Sequence, residues 1–312
     1  MREKGSFLRL KWAIFCHVID NWGDLGVCWR LACNLAERGQ QVRLFVDNPE
    51  ILQWMAPGGA DGVEQLTWTT NQVPEAAIAR KEQMDDVLIE AFGCKVPPDY
   101  LEEFARRTRR LGRSGTQWLN VEYLTAERYA QESHGLPSPV FHGPGAGLRK
   151  NFFYPGFVPE TGGLLREPGL MDCRKNFRRD RWLRRQGIAW CGEMLISLFC
   201  YEPAALPLLM AQLASGPQPV LLLVCDGRGA QAARMALDQL AGSGSNLKLV
   251  FLPRLSQSEY DRLLWACDLN FVRGEDSLVR ALWAGKALVW QAYEQTDKVH
   301  RSEEHTSELQ SP

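Results

Sequence analysis

The sequence predicts an α/β protein made of two doubly wound halves, and three observations carry that expectation. Strand-like and helix-like apolar patterns alternate along the chain. The alternation stops at a Pro/Gly-rich stretch, 136–168, and a basic stretch, 173–185, and then restarts. A length of 312 residues with 45% hydrophobic composition suffices for about two domains, each with its own core.

Residues 12–19 read as the first core strand. The run is short, and a polar turn follows it where a signal peptide would have a small-residue cleavage site. Residues 25–38 follow as a helix, with apolar positions three and four apart and Gly39 as the stop. Strands at 42–46, 86–91, 116–122 and 151–154, with a helix at 99–110, complete the first half. The second half reads as strands at 194–200, 219–225, 247–252, 269–272 and 287–290. Helices at 203–213, 230–240, 258–267 and 275–284 lie between them. Such alternation implies parallel sheets covered by helices on both faces.

The expected division is 1–165, a linker at 166–189, and 190–300. Residues 301–312, "RSEEHTSELQSP", resemble the in-frame translation of a sequencing-adapter oligonucleotide and break a pattern that runs cleanly to His300. They read as a non-native tail, which leaves the second half incomplete at its C-terminal end.

A net charge of −1 gives no general basis for binding nucleic acid or a membrane surface, and no apolar run reaches the roughly 20 residues of a membrane helix. Nine cysteines without a CxxC pair fit small buried side chains in a reducing cytoplasm better than disulfides or zinc ligands. The basic stretch Arg174 to Arg185 reads as a solvated helix face, with RNA or an acidic protein surface as the alternative.

Ligands of open parallel sheets bind at the carboxyl ends of the strands, so the expected site is a cleft between the halves. Two loops fit it. "DNWGDLG", Asp20 to Gly26, lacks both the GxGxxG spacing of a dinucleotide site and the Gly-Lys-Ser/Thr ending of a P-loop. Asp24 stands where an N-cap belongs, whereas Asp20 ends a strand that has no structural need of a carboxylate. "RGEDS", Arg273 to Ser277, offers helix-start amides, a fixed cation and a hydroxyl to a diphosphate. An ordinary cap, with Glu275 and Asp276 offsetting the helix dipole, is the other reading. Acids in one half and a diphosphate held by the other is the layout of a two-Rossmann, GT-B type, sugar-nucleotide glycosyltransferase. No D-x-D triplet occurs, so no metal is expected, and no cofactor either.

Longer stretches carry a family resemblance. "VIDNWGDLGVCWRLA" (18–32), "NVEYLTAERYAQESHGLPSP" (120–139), "YPGF" with "TGGLLRE" (154–167), "SLFCYE" (197–202) and "SQSEYDRLLWACDLNFVRGEDSLVRALWAGKALVW" (256–290) resemble the bacterial protein-arginine rhamnosyltransferases that modify translation elongation factor P. The similarity runs from Ile14 to His300 and departs from the family pattern at Arg254-Leu255. It implies a cytoplasmic, inverting enzyme that moves L-rhamnose from dTDP-β-L-rhamnose to an arginine of elongation factor P.

By this resemblance Asp20 is the general base, Asp24 positions the acceptor guanidinium or supports the loop, and Glu275 is a third acid. Phe199 and Tyr201 flank the thymine, and Ser256 and Gln257 also face the donor. Arg273, Gly274, Asp276 and Ser277 take the diphosphate and ribose, and Asn21, Trp22 and Gly23 approach the donor from the first half. Apart from the resemblance, Glu122 and Tyr123 end a strand of the first half, a position from which they are expected to approach the acceptor. His134 either lines that side or is structural. Two other readings stay open: a GT-B transferase with another nucleotide sugar and a small-molecule acceptor, and a non-catalytic elongation factor P binding protein.

Overall fold

The computed structural model describes residues 8–18, 22–78, 84–112, 115–240 and 246–292. Asp20, Asn21 and the tail 301–312 lie outside these residues. The chain divides into two compact units, Met1–Asn176 with Ser256–Glu259, and Phe177–Leu255 with Tyr260–Pro312.

The first unit contains β1 (Lys11–Cys16), α1 (Gly23–Glu37), β2 (Gln41–Val46), α2 (Glu50–Met55), β3 (Val63–Thr67), α3 (Glu75–Ile78) and β4 (Val87–Ala91). It continues with α4 (Pro98–Leu111), β5 (Gln117–Val121), α5 (Arg128–Ser133), β6 (Pro137–Pro139), β7 (Arg149–Phe153) and α6 (Leu170–Lys175). Its strands form one sheet in the order β3-β2-β1-β4-β5-β7-β6, parallel except for the antiparallel edge strand β6. β1 shows why the sequence reads as an unbroken apolar run. Ile14 and Cys16 enter the core on one face with Leu25, Cys28 and Trp29 of α1. Ala13 and Phe15 enter the core on the other face with Tyr100 and Phe104 of α4. A central parallel strand buried on both faces cannot alternate polar and apolar residues.

The second unit contains α7 (Arg179–Arg185), β8 (Met194–Leu198), α8 (Leu206–Ser215), β9 (Val220–Val224), α9 (Arg228–Gln239) and β10 (Leu247–Phe251). α10 (Gln257–Ala266), which belongs to this unit from Tyr260 on, β11 (Leu269–Arg273), α11 (Gly274–Ala284) and β12 (Ala287–Gln291) complete it. The five-stranded sheet is parallel throughout, in the order β10-β9-β8-β11-β12. Read from the first strand of each unit outward, both sheets follow the same path: two strands to one side, then a jump to the other. That reversal beside β1 and beside β8 is a topological switch point, where doubly wound sheets open a crevice for ligands.

Several short elements were not visible in the sequence. β3, "VEQLT", carries too few apolar residues to read as a strand, yet it pairs with β2 along its length. The stretch 166–189 contains α6 and α7. Its start is tied to α1, because Asn34 Nδ2 donates to Arg166 O at 3.0 Å and Arg30 Nη1 donates to Glu167 Oε1 at 3.2 Å. In α7, Trp182 and Leu183 are buried in the second unit's core while Arg181, Arg184 and Arg185, with the N-cap Arg178, are exposed. The arginines therefore form the solvated face of an amphipathic segment. All nine cysteines are free thiols. Among the described residues no helix is long and apolar enough to cross a membrane.

Candidate active site

In the second unit the candidate residues meet at the carboxyl ends of β8, β9, β11 and β12. The chain leaves β8 through Phe199, whose N–H donates to Phe271 O at 3.0 Å, and reaches Tyr201, whose N–H donates to Gln291 Oε1 at 2.9 Å. Arg273 ends β11 with its guanidinium carbon 4.5 Å from the Phe199 ring centroid and 4.6 Å from that of Tyr201. A flat cation over two aromatic rings is held by their quadrupoles and is fixed in direction. Burial pulls the Arg273 pKa down, against the nearby Tyr201 and Cys200, yet a guanidinium remains charged at neutral pH. Among the described residues no carboxylate forms an ion pair with it. Exposed Arg228 lies near enough to add like charge.

Two helix N-termini share this rim. α9 starts after Gly227 and α11 starts after Arg273, and neither N-cap residue makes a side-chain capping bond. Gly274 has a φ of 63°, the left-handed region, so a larger residue would strain the junction between β11 and α11. Its carbonyl accepts from Trp290 Nε1 at 3.0 Å. Glu275 and Asp276 occupy the first turn of α11, half-buried, and Ser277 is buried behind them. Tyr260, packed edge-on against Phe199 with ring centroids 5.5 Å apart, has its phenol pushed up by burial, with Cys225, Asp276 and Asp261 adding to the shift. Cys200 is likewise pushed up, to about 11, by burial, so its thiol stays neutral and unreactive.

The first unit holds a second group of residues at the carboxyl ends of β1, β4 and β5. The chain after β1 is tied down at Val18, whose N–H donates to Asp47 Oδ1 at 3.1 Å, and His17 Nδ1 lies 2.6 Å from the same carboxylate. Beyond 19–21, which carry the expected Asp20 and Asn21 and lie outside the described residues, Trp22 meets Trp54 edge to face at 4.8 Å. α1 starts at Gly23 with Trp22 as its N-cap, so Asp24 is one residue inside the helix and is not the cap the sequence suggested. Burial raises the Asp24 pKa, and a hydrogen bond from the Tyr123 hydroxyl to Oδ2, 3.0 Å, opposes the rise. Glu122, next to Tyr123, accepts from Asn120 Nδ2 at 2.5 Å.

Ser256 and Gln257, expected with the donor residues, group with the first unit. Gln257 Nε2 donates to Gly26 O at 2.9 Å, and Glu259 N–H donates to Ser256 Oγ at 3.4 Å at the start of α10. Arg254, at the position where the family pattern differs, pairs with Asp226 at 3.2 Å. His134 Nδ1 accepts the backbone N–H of Tyr154 at 3.1 Å and its ring packs against Phe153, which gives it a structural role.

Sequence reasoning missed Gly227, Gly229, Trp290 and Gln291. The Gly-Arg-Gly at 227–229 was a readable signal, since glycines at a strand-to-helix turn mark close approach to a ligand or neighbouring backbone. Trp290 and Gln291 gave none, because their role depends on which strands become neighbours.

Residues 12–306 match the family model described as Elongation-Factor P (EF-P) rhamnosyltransferase EarP. A protein-arginine rhamnosyltransferase of Pseudomonas aeruginosa is 43% identical over 311 residues, covering 93% of this chain and 78% of its own. A solved structure described as the structural basis for EarP-mediated arginine glycosylation of translation elongation factor EF-P is 30% identical, with a TM-score of 0.57, over 95% of this chain and 77% of its own. The glycosyltransferase of kitacinnamycin shares the fold at 13% identity and a TM-score of 0.52, over 96% of this chain and 84% of its own. With nearly its whole length matched and with two α/β units of the glycosyltransferase GT-B class, this chain belongs to the EF-P rhamnosyltransferase EarP family, whose curated Pseudomonas aeruginosa relative is a protein-arginine rhamnosyltransferase.

Proposed function

We propose that this chain transfers L-rhamnose from dTDP-β-L-rhamnose to an arginine side chain of translation elongation factor P, in the cytoplasm, with inversion at the anomeric carbon. The observation that carries the donor assignment is Arg273, a cation without a carboxylate ion pair among the described residues, at the N-terminus of α11 and over two aromatic rings. A diphosphate supplies the anionic partner that Arg273 lacks among the described residues. Arg273, the Gly274 junction and Ser277 hold the diphosphate, with Asp276 toward the ribose and Phe199 and Tyr201 toward the thymine. Ser256, Gln257, Asn21, Trp22 and Gly23 complete the donor contacts. Independence from a metal and from any cofactor is part of the same proposal, because the arginine and the helix amides meet the diphosphate's charge.

The acceptor poses a separate problem. A guanidinium has a pKa above about 12 and is a poor nucleophile until it is oriented and relieved of a proton. In this reading the acceptor nitrogen attacks the anomeric carbon as the bond from that carbon to the diphosphate oxygen breaks. The proton goes to Asp20 and dTDP leaves. Asp24 orients the guanidinium, and Glu275 is the third acid. One displacement gives inversion without a covalent enzyme intermediate.

Intact-mass analysis of elongation factor P, after incubation with the protein and dTDP-rhamnose, tests this. One added deoxyhexose mapped to an arginine is expected, and Asp20→Asn is expected to slow transfer by a factor on the order of 100 or more. An unchanged mass, or no preference for dTDP over UDP or GDP, overturns it.

A further inference from the structure

We propose that Tyr123 is a positioning residue for Asp24: clamped by the turn at Phe92, its hydroxyl fixes the carboxylate at the start of α1 in the direction from which it meets the acceptor. The inference rests on the acceptor-side reading of Asp24 given above.

Three elements converge on this contact. Tyr123 follows β5 and donates its hydroxyl to Asp24 Oδ2 of α1 at 3.0 Å. Phe92, which follows β4, stacks on the Tyr123 ring with centroids 4.8 Å apart and planes 27° apart. Phe92 has a φ of 55°, and it is the only non-glycine residue with a positive φ among those described. A bulky side chain in the left-handed region is strained, and such strain persists where the surroundings over-determine the conformation. Here they do. Phe92 N–H donates to Val121 O at 2.8 Å, which ties the turn to the strand that delivers Tyr123, and Cys94 N–H closes it onto Ala91 O at 3.0 Å.

Tyr123 is 44% exposed. A side chain so open to water would sample several rotamers, and the stack and the hydrogen bond together select one. A carboxylate held through one oxygen can offer the other to a planar N–H donor. The hydroxyl also favours the ionised acid. Burial works against charge on Asp24, and the donated hydrogen bond opposes burial. Cys28, buried one turn further along α1 and neutral, is a further titratable group that Asp24 acts on.

Tyr123→Phe tests the proposal, because it removes the hydroxyl and keeps the ring on Phe92. With elongation factor P as acceptor, kcat/KM is expected to fall about tenfold, with Tm and dTDP affinity unchanged. The low-pH limb of kcat/KM is expected to move to higher pH, since burial then acts on Asp24 unopposed. In an Asp24→Asn background the same substitution is expected to cost nothing further. Phe92→Asn tolerates the left-handed backbone but removes the stacked ring, and it is expected to act in the same direction. A Tyr123→Phe enzyme with wild-type kcat/KM and an unmoved limb, beside an impaired Asp24→Asn, overturns this inference alone. So does an equal loss in both backgrounds. Full activity in Asp24→Asn overturns the acceptor-side reading of Asp24 and this inference with it.

Discussion

Arg273 keeps its charge in a place where burial works against it. The Phe199 and Tyr201 rings offset part of that cost, and the energy left over becomes available to an anion. Arg273→Ala is therefore expected to weaken dTDP binding about 10- to 100-fold by calorimetry. Arg273→Lys is expected to recover little, because an ammonium neither stacks nor bonds in pairs. Affinity within about twofold of wild type in the alanine variant would remove Arg273 from the donor site. Position 273 was legible because Arg-Gly-Glu-Asp-Ser starts a helix straight after an apolar strand. Asp24 was half legible. Its type and neighbourhood could be read, but its hydrogen bond to Tyr123 spans 99 positions and left no local mark.

At the scale of elements, α9 shows how closely a helix must approach for the rim to form. A β-carbon on Gly229 would lie 2.8 Å from Cys200 O and 2.9 Å from its sulfur, nearer than real contacts allow. Helix and loop touch backbone to backbone, and that contact sets where the segment bearing Tyr201 can run. Gly229→Ala is expected to cost about 1–3 kcal/mol, seen as a Tm lower by a few degrees, together with weaker dTDP binding. An unchanged Tm and affinity would show that the segment has slack. Apolar periodicity gave the strand and helix around 227–229 to within two residues, 219–225 against Val220–Val224 and 230–240 against Arg228–Gln239. The contact itself was invisible, since residues 200 and 229 become neighbours only through the order of strands in the sheet.

For the molecule as a whole, each unit has its own hydrophobic core, and the two sheets share one winding path. The rhythm of alternation revealed two α/β halves, because buried parallel strands and amphipathic helices differ in period. It did not reveal the switch points, which are a property of sheet order, nor β3, which too few apolar residues announced. The second unit also contains an ion pair sealed from water: Arg280, 2% exposed, donates through Nε and Nη2 to both oxygens of Asp261 at 2.8 and 2.7 Å. Removing one partner leaves the other charge buried. Asp261→Ala is expected to destabilise by about 3–5 kcal/mol. Hydrogen exchange is the appropriate readout, with protection lost in β8 to β12 and kept in β1 to β5. Uniform loss across the chain would show the two cores to be cooperative.

Strand β6 has a different consequence. Ser138 and its alternate neighbours Leu136 and Val140 turn toward β7, with Phe152 N–H donating to Leu136 O and Val140 N–H to Leu148 O. Pro137 and Pro139 turn their backbone outward, and proline has no amide hydrogen to give. A foreign chain seeking to lengthen the sheet along this border finds carbonyls but no donors at those two steps. The border is thereby closed to stacking of one molecule on the next, and to fibre growth from that side.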